Sequence, residues 1–173
     1  MSVILAIDPG NQESAYCAIF SDDRHPNVFG KIKNSELLDL LRAGDLSGDT
    51  AAVEMVAAYG MAVGADVFET CVWIGRFAEA LSQAPDGVEP ILIKRQPVKV
   101  HHCHSAKAKD SNVRQALIDR FGQGASNGGK GTKADPGWFY GFAADVWQSY
   151  ALAVFVADQQ APAIDMYARS ADA

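Results

Sequence analysis

Residues 3–7, Val-Ile-Leu-Ala-Ile, form an unbroken apolar run of strand length that stops at Asp8-Pro9-Gly10. Such a run, closed by turn residues, is the pattern of a strand buried on both faces. Residues 14–20 alternate well enough for a returning antiparallel strand, and residues 27–33 read as a third that completes a meander. An N-cap at Asn34-Ser35 and the spacing of Leu37, Leu38, Leu40 and Leu41 predict a helix up to Gly44. After a polar loop over 45–50, residues 51–56 read as a short buried strand that carries one carboxylate, Glu54. A stripe of Val67, Phe68, Cys71, Val72, Ile74, Phe77, Ala78 and Leu81 predicts a long helix over 65–81. Pro90 then opens a fifth strand over 90–93, and residues 110–121 are helical with Val113, Ala116, Leu117 and Phe121 on one side. Six glycines between 122 and 137 predict a flexible loop, and residues 140–157 a helix apolar nearly all round.

Strands in a meander, followed by strands alternating with helices, imply an α/β fold with a mixed five-stranded sheet covered on both faces. A chain of 173 residues fits one domain, taken as 1–160 with a tail over 161–173. No apolar run is long enough to span a bilayer, and no basic segment followed by an apolar one opens the chain, so a cytoplasmic protein is expected. Three scattered cysteines, Cys17, Cys71 and Cys103, argue against a disulfide framework.

Charge changes the picture. The net charge of −6 speaks against a polyanionic partner, but the distribution does not. Residues 94–133 hold nine basic side chains against two acidic ones, which leaves six basic and nineteen acidic residues elsewhere. That asymmetry suggests a local surface for nucleic acid, although a solvated loop and helix face would look the same.

Three carboxylates stand in apolar settings: Asp8 at the end of the first strand, Glu54 inside the fourth, and Asp145 early in the last helix. A partly buried ionised Asp145 costs several kcal/mol, on the order set for unpaired charges, so it needs a partner, and the Asp8 charge at the tip of a buried strand needs compensation. Three acids on elements able to converge suit Mg²⁺, which takes oxygen ligands and bridges to phosphate. Asp8 as a turn cap, Asp145 as an N-terminal helix charge and Glu54 as half of an ion pair are the bland alternatives.

The blocks "ILAIDPG", "AVEMV", "AKDSNVRQALIDRFG" and "YGFAADVWQSYALAV", in that order, resemble the RuvC-like Holliday junction resolvases, especially phage-type members, of the ribonuclease H-like superfamily. The resemblance runs from Val3 to about Val156. It implies a structure-selective DNA endonuclease, a crossover junction endodeoxyribonuclease, that depends on Mg²⁺ or Mn²⁺. Asp8, Glu54 and Asp145 would be the metal ligands, and Lys109 (with Lys107 as the alternative) the basic residue beside the scissile phosphate. The chemistry implied is in-line attack on phosphorus by a metal-activated water. Lys94, Arg95, Lys99, Lys107, Arg114 and Lys133 would then contact phosphates of a four-way junction. Two-fold junction symmetry suits a homodimer. One departure stands out: the family places an Asp or His three residues before the last Asp, and here that residue is Phe142. Asp110 and Asp135 are the acids that would have to substitute.

His101-His102-Cys103-His104 lacks a second ligand pair at zinc-like spacing, so it reads as a polar, extended, DNA-facing stretch. Trp138, Phe139 and Tyr140 read as loop-to-core packing rather than as a base-stacking wedge. Phe68, Trp73 and Phe77 read as core, or as a dimer surface where the long helix is exposed. An actin-like or sugar-kinase-like ATPase half also begins with strand, Asp and hairpin, but this chain is too short for two such domains. The remaining alternative is a binding module on the same fold with weak or no cleavage, or a nuclease for flaps or RNA/DNA hybrids.

Overall fold

The computed structural model describes residues 1–161; the expected tail over 161–173 lies almost wholly outside the described residues. Three strands, β1 (Val3–Asp8), β2 (Glu13–Phe20) and β3 (Pro26–Lys33), form the antiparallel meander. Helix α1 (Asn34–Ala43) ends where Gly44 takes a left-handed conformation. It leads to β4 (Thr50–Met55), which lies parallel to β1. Helix α2 (Ala65–Gln83) crosses to β5 (Ile91–Lys94), parallel to β4, giving the sheet order β3-β2-β1-β4-β5. Then come α3 (Arg95–Cys103), α4 (Asp110–Phe121), one irregular turn α5 (Ser126–Gly129) and α6 (Val146–Gln160). The mixed five-stranded α/β sheet is therefore as the pattern predicts.

Period-two alternation in β1 splits the core. Leu5 and Ile7 pack with Leu37, Leu38, Leu41 and Phe77 of α1 and α2. Ile4 and Ala6 pack with Tyr150, Leu152 and Val154 of α6, and with Val113 and Leu117 of α4. β1 is buried on both faces, so its side chains at the exit are committed to one face or the other. Asp8 follows Ala6 by two, and Glu54 follows Ala52 by two, so both acids stand on the α6 face.

Three predicted elements differ. Residues 95–103 are helical, not extended: Pro97 lies in the first turn, where no N–H is needed, and only Val98 is buried. Histidines occupy inner-face positions that apolar residues would fill, and this hides the helical period. The last helix starts at Val146 rather than Tyr140, because Gly141 and Ala144 both take positive φ. The glycine-rich loop is closely packed rather than loose. A Cβ on Gly129 would lie 2.8 Å from both the Gly122 Cα and the Phe139 ring, so backbone there touches backbone.

Candidate metal centre and nucleic-acid face

The turn after β1 is closed without Asp8. Asn34 donates from Nδ2 to the Gly10 carbonyl (2.9 Å), and Ser14 Oγ donates to Asn34 Oδ1 (2.6 Å) while accepting from the Gly10 N–H (3.2 Å). The Asp8 carboxylate is thus left for another purpose. In the sheet register Asp8 is opposite Ala15, and Ala15 is opposite Lys31, which sets the three on one face in a row across β1, β2 and β3. Glu54 extends that row on β4, one residue beyond the Ile7–Val53 pair.

Arg95 stands among the acids. It follows directly on β5, whose last residues pair with Glu54 and Met55. Its Nε lies 3.1 Å from Glu54 Oε1, its Nη1 3.5 Å from Asp110 Oδ2, and its Nη2 3.8 Å from Asp8 Oδ2. Lys99 Nζ is 3.8 Å from the other Asp110 oxygen. Asp145 immediately precedes α6 and is drawn to Lys31 Nζ at 2.6 Å. Asp145 is partly buried, as the sequence suggests, with its side chain 49% exposed, and the partner it needs is Lys31.

Burial pushes the Asp8 carboxyl up from 3.8 to about 8, with Glu54 adding to the rise and Arg95 opposing it. Burial likewise raises Glu54, against the pull of Arg95. The hydrogen bond that Lys31 donates to Asp145 raises the lysine. The site is therefore short of positive charge even with Arg95 in place.

Hard carboxylate oxygens on adjacent strands are the donor set that Mg²⁺ or Mn²⁺ takes. Among the described residues, however, no three acid, histidine or cysteine side chains are close enough to hold one ion. The guanidinium fills the space between Asp8, Glu54 and Asp110. The donors fit in chemistry, and Arg95 would have to leave for them to converge.

Phe142 lies elsewhere altogether. It is 1% exposed and packs on Phe29 (ring centroids 4.6 Å), Phe139, Trp147 and Tyr150. Because α6 begins at Val146, position 142 is not one helical turn below Asp145, so an acid there would enter the core. Of the substitutes considered, Asp110 reaches the site through Arg95, whereas Asp135 takes part in a turn with Thr132.

The basic residues divide. Arg95, Gln96, Lys99, Lys107 and Tyr59 line a cleft of about 330 Å³ beside the acids. Lys109 precedes α4 by one residue, exposed, with its N–H bonded to Asn112 Oδ1 (2.8 Å). Lys94 is exposed at the end of the sheet-edge strand β5, and Lys133 on the turn between Gly131 and Pro136. Arg114 lies over the Trp147 ring at 4.8 Å. His101 and His102 do not face outward as expected, while His104 is exposed. His101 bonds Asp158 (2.8 Å), and His102 bonds the Ala151 carbonyl (2.9 Å), where burial lowers it to about 4 and keeps it neutral. Phe139 is buried and Trp138 donates to Tyr150 Oη (2.9 Å), so that pair packs the loop onto the core as read, while Tyr140 is exposed.

Lys31 was not legible in the sequence as a site residue. The register of the β2–β3 hairpin, which sets it in the row of Asp8, was the signal available.

Comparison with solved structures bears on this arrangement. The Thermus thermophilus RuvC structure matches at TM-score 0.61 with 15% identity, over 88% of this chain and 92% of that one. T. thermophilus RuvC in complex with Holliday junction substrate matches at TM-score 0.63 with 14% identity, over 90% and 92%. The chain has the RuvC fold. That fold is of the ribonuclease H-like kind, as the resemblance implied. No family model and no curated sequence matches the chain, so the likeness to RuvC is one of backbone path.

Proposed function

We propose that this protein is a divalent-metal-dependent endonuclease selective for branched DNA, cutting four-way junctions. The observation that carries the reading is the charge-deficient cluster of Asp8, Glu54 and Asp110 on a fold shared with a RuvC bound to Holliday junction substrate. Asp8 and Glu54 are the primary ligands, with Asp145 and Asp110 as the acids that complete the set. A bound divalent ion would supply the charge that activates water and steadies the leaving oxygen. Lys99 and Lys107 hold phosphate in the adjoining cleft, and Lys109, at the start of α4, lies beside the scissile group. Lys94, Arg114 and Lys133 add salt-dependent contacts with the junction arms. Phe68 and Val72, exposed one turn apart on α2, are assigned to a second copy of the chain in a homodimer. Among the described residues no helix is long and apolar enough to cross a membrane.

A second reading, a junction-binding module with little or no cleavage, is favoured by Arg95 in the acid cluster and by Phe142 in the core. Labelled four-way junction, flap, RNA/DNA hybrid and duplex incubated with Mg²⁺, Mn²⁺ or EDTA decide between the two. Paired junction nicks, lost with EDTA and in Asp8→Asn and Asp145→Asn, support the nuclease. Tight junction binding without nicks in either metal supports the module, and preferential cutting of a flap or hybrid changes the substrate.

A further inference from the structure

Among the described residues, Arg95 is the one side chain that touches the acid cluster and also lines the clefts on either side of it. Its three guanidinium nitrogens address three acids from three elements: Glu54 of β4, Asp110 of α4 and Asp8 of β1. The same residue lines the basic cleft with Lys99 and Lys107, and the apolar one with Tyr59, Met61 and Val63. Its side chain is 34% exposed, so it is held by charge rather than locked by packing. Two cations cannot occupy this space together. A guanidinium 3.1–3.8 Å from these carboxylates would face a divalent ion on the same oxygens at a separation where like charges repel strongly.

We propose that Arg95 is a displaceable counter-ion: it occupies the cation place between Asp8, Glu54 and Asp110, and a DNA phosphate in the adjoining cleft draws it out. Polyanion binding and divalent-ion uptake are then coupled through one side chain, each strengthening the other by the same factor. The flexible stem allows the swing, and Lys99, already beside Asp110, marks the side on which the phosphate sits. This inference rests on the nuclease reading.

The test is Mn²⁺ affinity, read from the electron paramagnetic resonance of free Mn²⁺, for wild type, Arg95→Met and Asp8→Asn without DNA. Arg95→Met keeps the aliphatic stem, and it is expected to bind Mn²⁺ about tenfold more tightly than wild type, within the usual range of coupled sites. Equal or weaker binding by Arg95→Met overturns the inference, and with junction cleavage intact in wild type it leaves the nuclease reading standing. No Mn²⁺ binding by either protein overturns both. In wild type the Arg95 Nε–H nuclear magnetic resonance signal provides a second measurement that needs no variant. It is expected to move on adding Mg²⁺ alone and on adding a short DNA duplex alone. A signal unmoved by either addition overturns the proposal.

Discussion

Asp158 of α6 is one carboxylate shared by Arg24, Arg120 and His101, whereas Arg95 is one guanidinium shared by Asp8, Glu54 and Asp110. The two clusters use the same chemistry in opposite proportions. At Asp158, burial alone would raise the carboxyl, but Arg120, His101 and Arg24 outweigh it and hold the group far below the usual carboxylate range. At Asp8 burial is joined by neighbouring acids, and one arginine is not enough to offset them. The first cluster is satisfied and ties together the β2–β3 turn, α3, α4 and α6. The second lacks positive charge, and a surplus of buried acid is tolerated where a cation is to be bound. A satisfied cluster acts as a clamp, and an unsatisfied one marks a candidate site.

The sharpest break in that contrast is catalytic. Asp8→Asn keeps the shape of the acid cluster and removes one charge, and junction cleavage is expected to fall by at least about a thousandfold, some 4 kcal/mol. A cleavage assay in Mg²⁺ checks it. Asp158→Ala should do the reverse, leaving the site but unfolding the protein more easily. Stranding two arginines and a histidine costs about 3 kcal/mol, read as a lower urea midpoint.

The third effect depends on pH. Asp8 titrates near 3.8 when unfolded and is raised to about 8 when folded. Between those values the folded state holds a proton that the unfolded chain has released, so the contribution of Asp8 to stability falls as pH rises. The Asp8→Asn protein should therefore gain on wild type steadily from pH 4 to pH 8, by several kcal/mol at the upper end. Denaturant titrations of both proteins at several pH values read this directly. Lys31→Met is the smallest change. Its pair with Asp145 is half exposed, worth under about 1 kcal/mol, and its loss should move the melting temperature by only a few degrees.

The two clusters were unequally visible in the sequence. Asp8 and Glu54 were legible because a carboxylate at the end or inside of an apolar strand run is conspicuous, and the sheet then follows from the same runs. Arg95 was legible only as one of six basic residues expected to contact phosphates, since its place over Glu54 depends on α3. That helix turns half-buried histidines inward where a helix normally places apolar groups, so its period was hidden. The same concealment applied to Asp158, whose partners come from positions 24, 101 and 120 and meet only in the folded chain. Asp145 was legible as a partly buried acid in need of a partner, but Lys31 as that partner was not. The helix start at Val146 depends on positive φ at Gly141 and Ala144, and Ala144 gives no sequence signal for it.

The most direct test of the inverted charge balance is thermal unfolding at pH 8 with and without Mg²⁺, at matched ionic strength, for wild type and Asp8→Asn. At saturating Mg²⁺ the wild type should gain about 2 kcal/mol, a rise of a few degrees, and Asp8→Asn should gain little. A wild-type melting temperature indifferent to Mg²⁺ would contradict the account, because the acids around Arg95 would then need no further cation.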